Sequence, residues 1–370
     1  MKILLLGSFA DSVIKFRGPL ISDLLAAGHE VVVGVPSPGS SLRAELHELG
    51  ASLIETPLSR RGLSPAGDFA YYRKLLDIIG AEKPGFVLTY TIKPNIWGGL
   101  AAGRCGIPSA AMVTGLGSVF TGESTGIART LLRKVIAFLY RRSTAHNRVV
   151  IFQNPDDIAD FTVGGCLDDP SKARLVNGSG VDTAHYALAP LPEKPVFIMI
   201  ARLLVSKGVR EYAEAAMAVL KEVPGARCQL VGFHEEGKDG IGEDELARWR
   251  ANGIEYLGQL EDVRPAIAGA SVYVLPSYRE GTPRSVLEAM SMGRPVITTD
   301  VPGCRETVAE GENGYLVPPM DVESLKQRMA ELACDEKLRA AMGKRSRQMV
   351  MEKYEVSKVN AALLQHLGLA

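Results

Sequence analysis

At 370 residues the chain is too long for one compact α/β sheet and suits two domains of roughly 100–200 residues each. The apolar fraction is 46% and the aromatic fraction 6%, with 38 glycines and 21 prolines scattered rather than in tracts, which excludes a disordered or fibrous chain. Lys plus Arg and Asp plus Glu both number 42, so no nucleic-acid partner is expected. Residues 1–150 nevertheless hold 17 Lys and Arg against 10 Asp and Glu, an excess able to face an anionic surface.

The five cysteines (Cys105, Cys166, Cys228, Cys304, Cys334) are widely spaced and odd in number, which suggests neither a disulfide framework nor a zinc site. The opening run Met1–Gly7 is too short for a spanning helix or a signal peptide. A cytoplasmic chain is expected.

In chain order, the first predicted strand is Lys2–Gly7, followed by a helix that opens at Arg17-Gly18-Pro19-Leu20, where proline near the first helical position costs nothing. Strands then follow at His29–Val35, Ser52–Glu55, Phe86–Tyr90, Ser109–Val113, Val149–Gln153 and Ala173–Val176. Helices separate them at Ser41–Leu49, Phe69–Ala81, after Pro94, at Ile127–Arg142 and from Pro155. Short apolar strands alternating with helices mean right-handed βαβ units and parallel sheets covered on both faces. The proline-rich segment Ala189–Pro195 reads as a linker, giving a first domain over 1–188 and a second over 189–354. The second series has strands at Val196–Ala201, Arg227–Val231, Ile254–Leu257, Ser271–Pro276 and Pro295–Thr299, with helices at Val209–Glu222, Glu243–Arg250, Val263–Ala268 and Ser285–Met292. Two further helices are expected over Asp335–Tyr354 and Val356–Leu367.

The densest chemistry follows the strand ending at Pro276. There Glu280 and Glu288 flank the loop Gly281-Thr282-Pro283 and the helix start Arg284-Ser285-Val286. Loops at the carboxyl ends of parallel strands form the ligand crevice, and unpaired amides at a helix start favour phosphate. Glu280 would bind hydroxyls in that crevice and Glu288 a ribose diol, since carboxylates accept paired hydroxyls well. Taken singly, each glutamate reads first as an ordinary solvent-exposed acid.

Their spacing, with Gly281, Pro283 and the run Glu288-Ala289-Met290-Ser291-Met292-Gly293-Arg294-Pro295, resembles the E-x7-E signature of glycosyltransferase family 4. The resemblance covers most of the chain. It implies a GT-B fold, two Rossmann-like domains facing a central cleft, with the acceptor in the first domain and the nucleotide sugar in the second. It also implies retention of the anomeric configuration, no metal or other cofactor, and a last helix, 355–370, that returns to the first domain. Ala201-Arg202-Leu203-Leu204-Val205-Ser206-Lys207-Gly208 is similar to the family's basic segment, which makes Arg202 and Lys207 the cations on the donor diphosphate, with Glu280 the third residue of the catalytic set. Leu257-Gly258-Gln259-Leu260 resembles the segment that frames the base, through Gln259 and Leu260.

The first loop holds a single glycine, Gly7, and the stretch Thr114–Thr121 has no histidine; both depart from many family members. The segments at Phe16–Ile21, Thr91–Ile96 and Gly115–Phe120 instead resemble a bacterial subgroup that extends polyprenyl-diphosphate-linked glycans, including N-acetylgalactosaminyltransferases acting on undecaprenyl-diphosphate sugars. That implies a UDP-sugar donor and a lipid-linked acceptor, with Arg17, Lys93, Asn95 and, at the rim, Tyr72 as acceptor-binding candidates. The basic, apolar helix at Ile127–Arg142 suits either an anionic surface at the inner face of the cell membrane or simple packing over a sheet. Two other readings remain open: a UDP-sugar 2-epimerase with the same fold, and a nucleotide-sugar-binding subunit without turnover.

Overall fold

The computed structural model describes every residue except 60–63, 118–125, 235, 236 and 238, and describes 127–129 by backbone alone. Part of the 115–120 segment and the side chains of Ile127, Ala128 and Arg129 therefore lie outside the described residues. The chain divides into two compact units, Met1–Ser179 with Ser357–Ala370, and Gly180–Val356.

The first unit carries seven parallel strands: β1 (Lys2–Leu6), β2 (Glu30–Val35), β3 (Ser52–Glu55), β4 (Phe86–Tyr90), β5 (Ser109–Val113), β6 (Asn147–Phe152) and β7 (Ala173–Leu175), in the order β3-β2-β1-β4-β5-β6-β7. Side chains alternate across a strand, so the apolar run of β1 serves both layers. Ile3 and Leu5 join one core with Val31 and Val33, while Leu4 and Leu6 join another with Tyr71 and Leu75. The Val356–Leu367 helix sends Leu363, Leu364 and Leu367 into the first of these cores, where Asn360 Nδ2 donates to Asp23 Oδ2 at 2.7 Å.

The second unit carries β8 (Val196–Ile200), β9 (Arg227–Val231), β10 (Ile254–Tyr256), β11 (Val272–Leu275), β12 (Val296–Thr299) and β13 (Gly314–Val317), in the order β10-β9-β8-β11-β12-β13. Every strand pairing is parallel. In each sheet the winding reverses once, between β1 and β4 and between β8 and β11. The connecting loops diverge there and leave an opening at the carboxyl ends.

The structure departs from the sequence reading at several places. The first helix runs Val13–Ala26 with Pro19 in its interior, not near its start. The third helix begins at Pro65, capped by Ser64 Oγ, and the fourth at Ile92. The division falls after Ser179 rather than after residue 188, because residues 181–190 are hydrogen-bonded into the second unit. Val181 N donates to Tyr354 O at 2.9 Å. The fully buried Arg294 donates to the carbonyls of Ala189 at 2.6 Å and Pro190 at 2.9 Å, as well as to Ile267, Ala268 and Ala270. Burial lowers its guanidinium pKa to about 10, so it stays charged at neutral pH. The segment expected to be a linker is thus anchored at its start.

Candidate functional site

The opening between β8 and β11 gathers the residues singled out in the second half of the sequence. Arg202 lies just past β8, exposed, and Lys207 closes the short turn Val205–Lys207. Glu280 lies on the loop after β11. Two glycines let these loops touch backbone to backbone. Gly208 has φ +73°, and a Cβ there would sit 1.9 Å from Pro276 O; Gly303 has φ +82°, with a Cβ 2.2 Å from Glu280 O. Any side chain would be both strained and obstructed at either position. The loops are joined by Tyr278 N to Ser206 O at 3.0 Å and Glu280 N to Pro302 O at 3.0 Å. Lys207 Nζ consequently meets Glu280 Oε1 at 2.5 Å, with side chains 18% and 15% exposed.

Eight residues on, Glu288 belongs to the Arg284–Ser291 helix and is only 8% exposed. Arg284 Nε donates to its Oε1 at 2.9 Å across one helical turn. From outside every sequence motif, Tyr186 lies near enough to feel the Glu288 charge. Burial, reinforced by that negative charge, pushes the Tyr186 pKa up. The helix start is tied to the sheet through the Tyr273 hydroxyl, which lies 2.6 Å from Ser285 Oγ and 3.0 Å from Ile200 O. Gly281 and Pro283 are buried and Thr282 half-buried.

Val286 does not serve as expected. Its side chain is fully buried in the core, and its amide donates to Pro283 O at 3.1 Å, leaving nothing for a ligand. Gln259 is exposed and Leu260 half-buried on the loop after β10. Further along that loop Arg264 Nη1 lies 3.5 Å from His185 Nδ1. The neighbouring Tyr186 carbonyl accepts from Ser291 Oγ at 2.7 Å, so the loop of Gln259 and Leu260 and the helix of Glu288 share the 182–186 turn as a neighbour.

In the first unit, Arg17 lies inside the Val13–Ala26 helix and is 6% exposed, with its guanidinium carbon 5.1 Å from the centroid of the Tyr90 ring. Lys93 is paired with Asp68 at 2.8 Å and donates to Ser59 O at 3.0 Å. Tyr72, with Phe69 and Trp97, lines an open groove of about 540 Å³. Asn95 corrects the sequence reading. It is 1% exposed, its amide donates to Met112 O at 2.9 Å, and it accepts from Thr89 Oγ1 at 2.8 Å. A side chain so enclosed braces β4 against β5 and is not available to an acceptor. A feature the sequence did not reveal lies next to it: Thr91 takes φ +72° at the end of β4, a strained conformation for a β-branched residue, and its hydroxyl is 2.8 Å from that of Ser8 after β1.

Two family models match, "Glycosyl transferase 4-like domain" over residues 18–166 and "Glycosyl transferases group 1" over 194–335. The chain is 30% identical over 370 residues, 95% of its length and 94% of the relative's, to the N,N'-diacetylbacillosaminyl-diphospho-undecaprenol alpha-1,3-N-acetylgalactosaminyltransferase of Campylobacter jejuni. It is 26% identical to the UDP-Gal:alpha-D-GlcNAc-diphosphoundecaprenol alpha-1,3-galactosyltransferase of Escherichia coli, covering 82% of this chain and 80% of that one. Among solved structures, HepE of Anabaena in complex with UDP and glucose superposes with a TM-score of 0.81 over 100% of both chains at 18% identity; at that identity the likeness shows the fold alone. The fold is GT-B, two Rossmann-like units of parallel α/β type. The chain belongs to the family 4 glycosyltransferases.

Proposed function

We propose that the protein is a retaining glycosyltransferase that moves a sugar, an N-acetylhexosamine or hexose, from a UDP-sugar to a polyprenyl-diphosphate-linked glycan during bacterial cell-surface glycan or glycoprotein biosynthesis. The observation that carries this reading is the pairing of Lys207 with Glu280 at 2.5 Å beside Arg284 and Glu288, at the opening of one sheet. The activities of the Campylobacter and Escherichia relatives support the lipid-linked acceptor.

In this account Arg202 and Lys207 stabilise the charge growing on the departing diphosphate, the task a divalent ion performs in other transferases. The amides of Arg284 and Ser285 face the same anion, Glu288 holds the ribose and Gln259 with Leu260 frames the base. Glu280 orients the transferred sugar through its hydroxyls. Proton transfer from the acceptor hydroxyl goes to a donor-phosphate oxygen, so the protein contributes mainly position and charge. Arg17, Lys93 and Tyr72 are the acceptor-side candidates, and Lys93 must exchange Asp68 for an anionic acceptor. The test is a panel of UDP-sugars incubated with and without polyprenyl-diphosphate glycans, in EDTA. UDP release that requires the acceptor is expected; isomerised donor without acceptor, or binding with no release, would replace this reading with an epimerase or a silent subunit.

We also place the enzyme peripherally on the inner face of the cell membrane. Among the described residues no helix is long and apolar enough to cross a membrane. The Ile127–Thr144 helix supports this placement, since one face packs inward and another is open. Ile136, Ala137 and Tyr140 are buried, while Leu131, Val135 and Phe138, which share a stripe at helical spacing, are 63%, 47% and 51% exposed. Arg133, Lys134, Arg141 and Arg142 are exposed around it, the pattern that binds anionic lipid. Flotation with anionic vesicles is expected, and its loss on combining Leu131→Ser, Val135→Ser and Phe138→Ser. Flotation equal to that with zwitterionic vesicles contradicts this placement.

A further inference from the structure

We infer that Asp239 is a positioning residue for the donor diphosphate: it caps, from a distant segment, the turn that carries Lys207 and so holds that ammonium at the phosphates, an inference that rests on the reading of Lys207 as a diphosphate cation. Asp239 belongs to the connection after β9 and to none of the motifs singled out in the sequence.

The Val205–Lys207 turn opens on Leu204, whose apolar side chain offers no oxygen to the first amides of the turn. Free amides at such a start need acceptors. Asp239, 33 residues along from Ser206, supplies them. Its carbonyl accepts from Val205 N at 2.8 Å. Its carboxylate accepts from Ser206 N at 3.2 Å through Oδ1 and from Ser206 Oγ at 2.5 Å through Oδ2. The chain before the turn runs beside the same connection, with Leu203 N donating to Phe233 O and Ile241 N to Leu203 O, each at 3.2 Å. On its other side Ser206 O accepts from Tyr278 N at 3.0 Å and from Ser277 Oγ at 3.2 Å. Ser206 is therefore gripped from both sides, by the β9 connection and by the loop that carries Glu280, and Lys207 is the next residue.

A lysine ammonium rides on a flexible four-carbon stem, so its placement depends on a fixed base. The stem of Lys207 is aimed so that Nζ meets Glu280 Oε1 at 2.5 Å, and a shift of about 1 Å in such a group can cost about 100-fold in rate. Ser277 and Tyr278 hold the carbonyl of Ser206, whereas Asp239 holds its amide and its hydroxyl. Charge alone gives the opposite expectation for this residue. Asp239 is exposed and anionic, so if only its field mattered its removal would favour an incoming diphosphate. A loss of affinity on its removal is the signature of geometry.

The experiment measures calorimetric dissociation constants for UDP on the parent, Asp239→Ala, Asp239→Asn, Lys207→Ala and the variant combining Asp239→Ala with Lys207→Ala, with kcat and KM for the UDP-sugar and melting temperatures alongside. Asp239→Ala is expected to weaken UDP about tenfold and to lower kcat/KM by at least as much, with little change in melting temperature. In the Lys207→Ala background the same change should cost less than about twofold, because no ammonium is left to place. Asp239→Asn keeps an acceptor for Ser206 and should stay within about threefold of the parent. Parental or tighter UDP binding by Asp239→Ala, while Lys207→Ala is weakened, overturns this inference alone. So do equal losses in the two backgrounds, which make Asp239 merely structural, and an Asp239→Asn variant as weak as Asp239→Ala. A Lys207→Ala variant with the parent's UDP affinity overturns the diphosphate reading of Lys207 and the inference with it.

Discussion

Glu280→Ala is expected to lower turnover by about 100- to 1,000-fold, the range seen when one preorganised group around a reacting centre is removed. UDP affinity should not fall with it. Glu280 is assigned to the sugar, and without a nucleotide it neutralises Lys207 at 2.5 Å. Deleting the carboxylate leaves that ammonium without its anion in a site where both side chains are less than one-fifth exposed, which favours an incoming diphosphate. UDP should therefore bind as well as before or several-fold more tightly, and the loss should lie in kcat. Near-parental turnover with the true acceptor would show that Glu280 is outside the reacting centre.

Replacing Arg202 and Lys207 together by alanine should weaken UDP binding and turnover alike, by about 100-fold in affinity and more in kcat/KM, because charge-assisted contacts to phosphate act before and during bond breaking. The single changes should not be equal. Lys207→Ala removes the cation that Glu280 meets at 2.5 Å as well as a contact to the diphosphate, so it should cost more UDP affinity than Arg202→Ala. Adding Glu280→Ala to Lys207→Ala should recover part of that affinity, since directly paired residues are not additive. Titration of UDP by calorimetry across the four variants measures this; independent, additive losses would contradict the pairing.

What was legible in the sequence follows from how local each signal is. Strands buried on both faces are continuous apolar runs, so Lys2–Gly7 was expected and Lys2–Leu6 forms, and Val196–Ala201 was expected and Val196–Ile200 forms. The crevice was legible because a strand, a loop with Gly281 and Pro283, and two glutamates coincide within one short stretch. Pro19 misled because a proline signals a helix start more often than an interior, and nothing local shows that the helix begins at Val13. The β13 strand Gly314–Val317 and the Val322–Cys334 helix went unread. Asn95 and Val286 misled for different reasons: the resemblance of the Thr91–Ile96 segment suggested the first and position at a helix start the second, while tertiary packing had already engaged Asn95 with Met112 and Thr89, and the Val286 amide with Pro283.

The most direct measurement of the account is a crystal structure of the protein with UDP and, separately, with an unreactive UDP-sugar analogue. The diphosphate is expected within hydrogen-bond reach of Arg202 and Lys207, the ribose hydroxyls on Glu288, the sugar against Glu280, and the Lys207–Glu280 pair opened. A nucleotide bound in the first unit, or one in the second unit that leaves Lys207 and Glu280 paired and untouched, would contradict it.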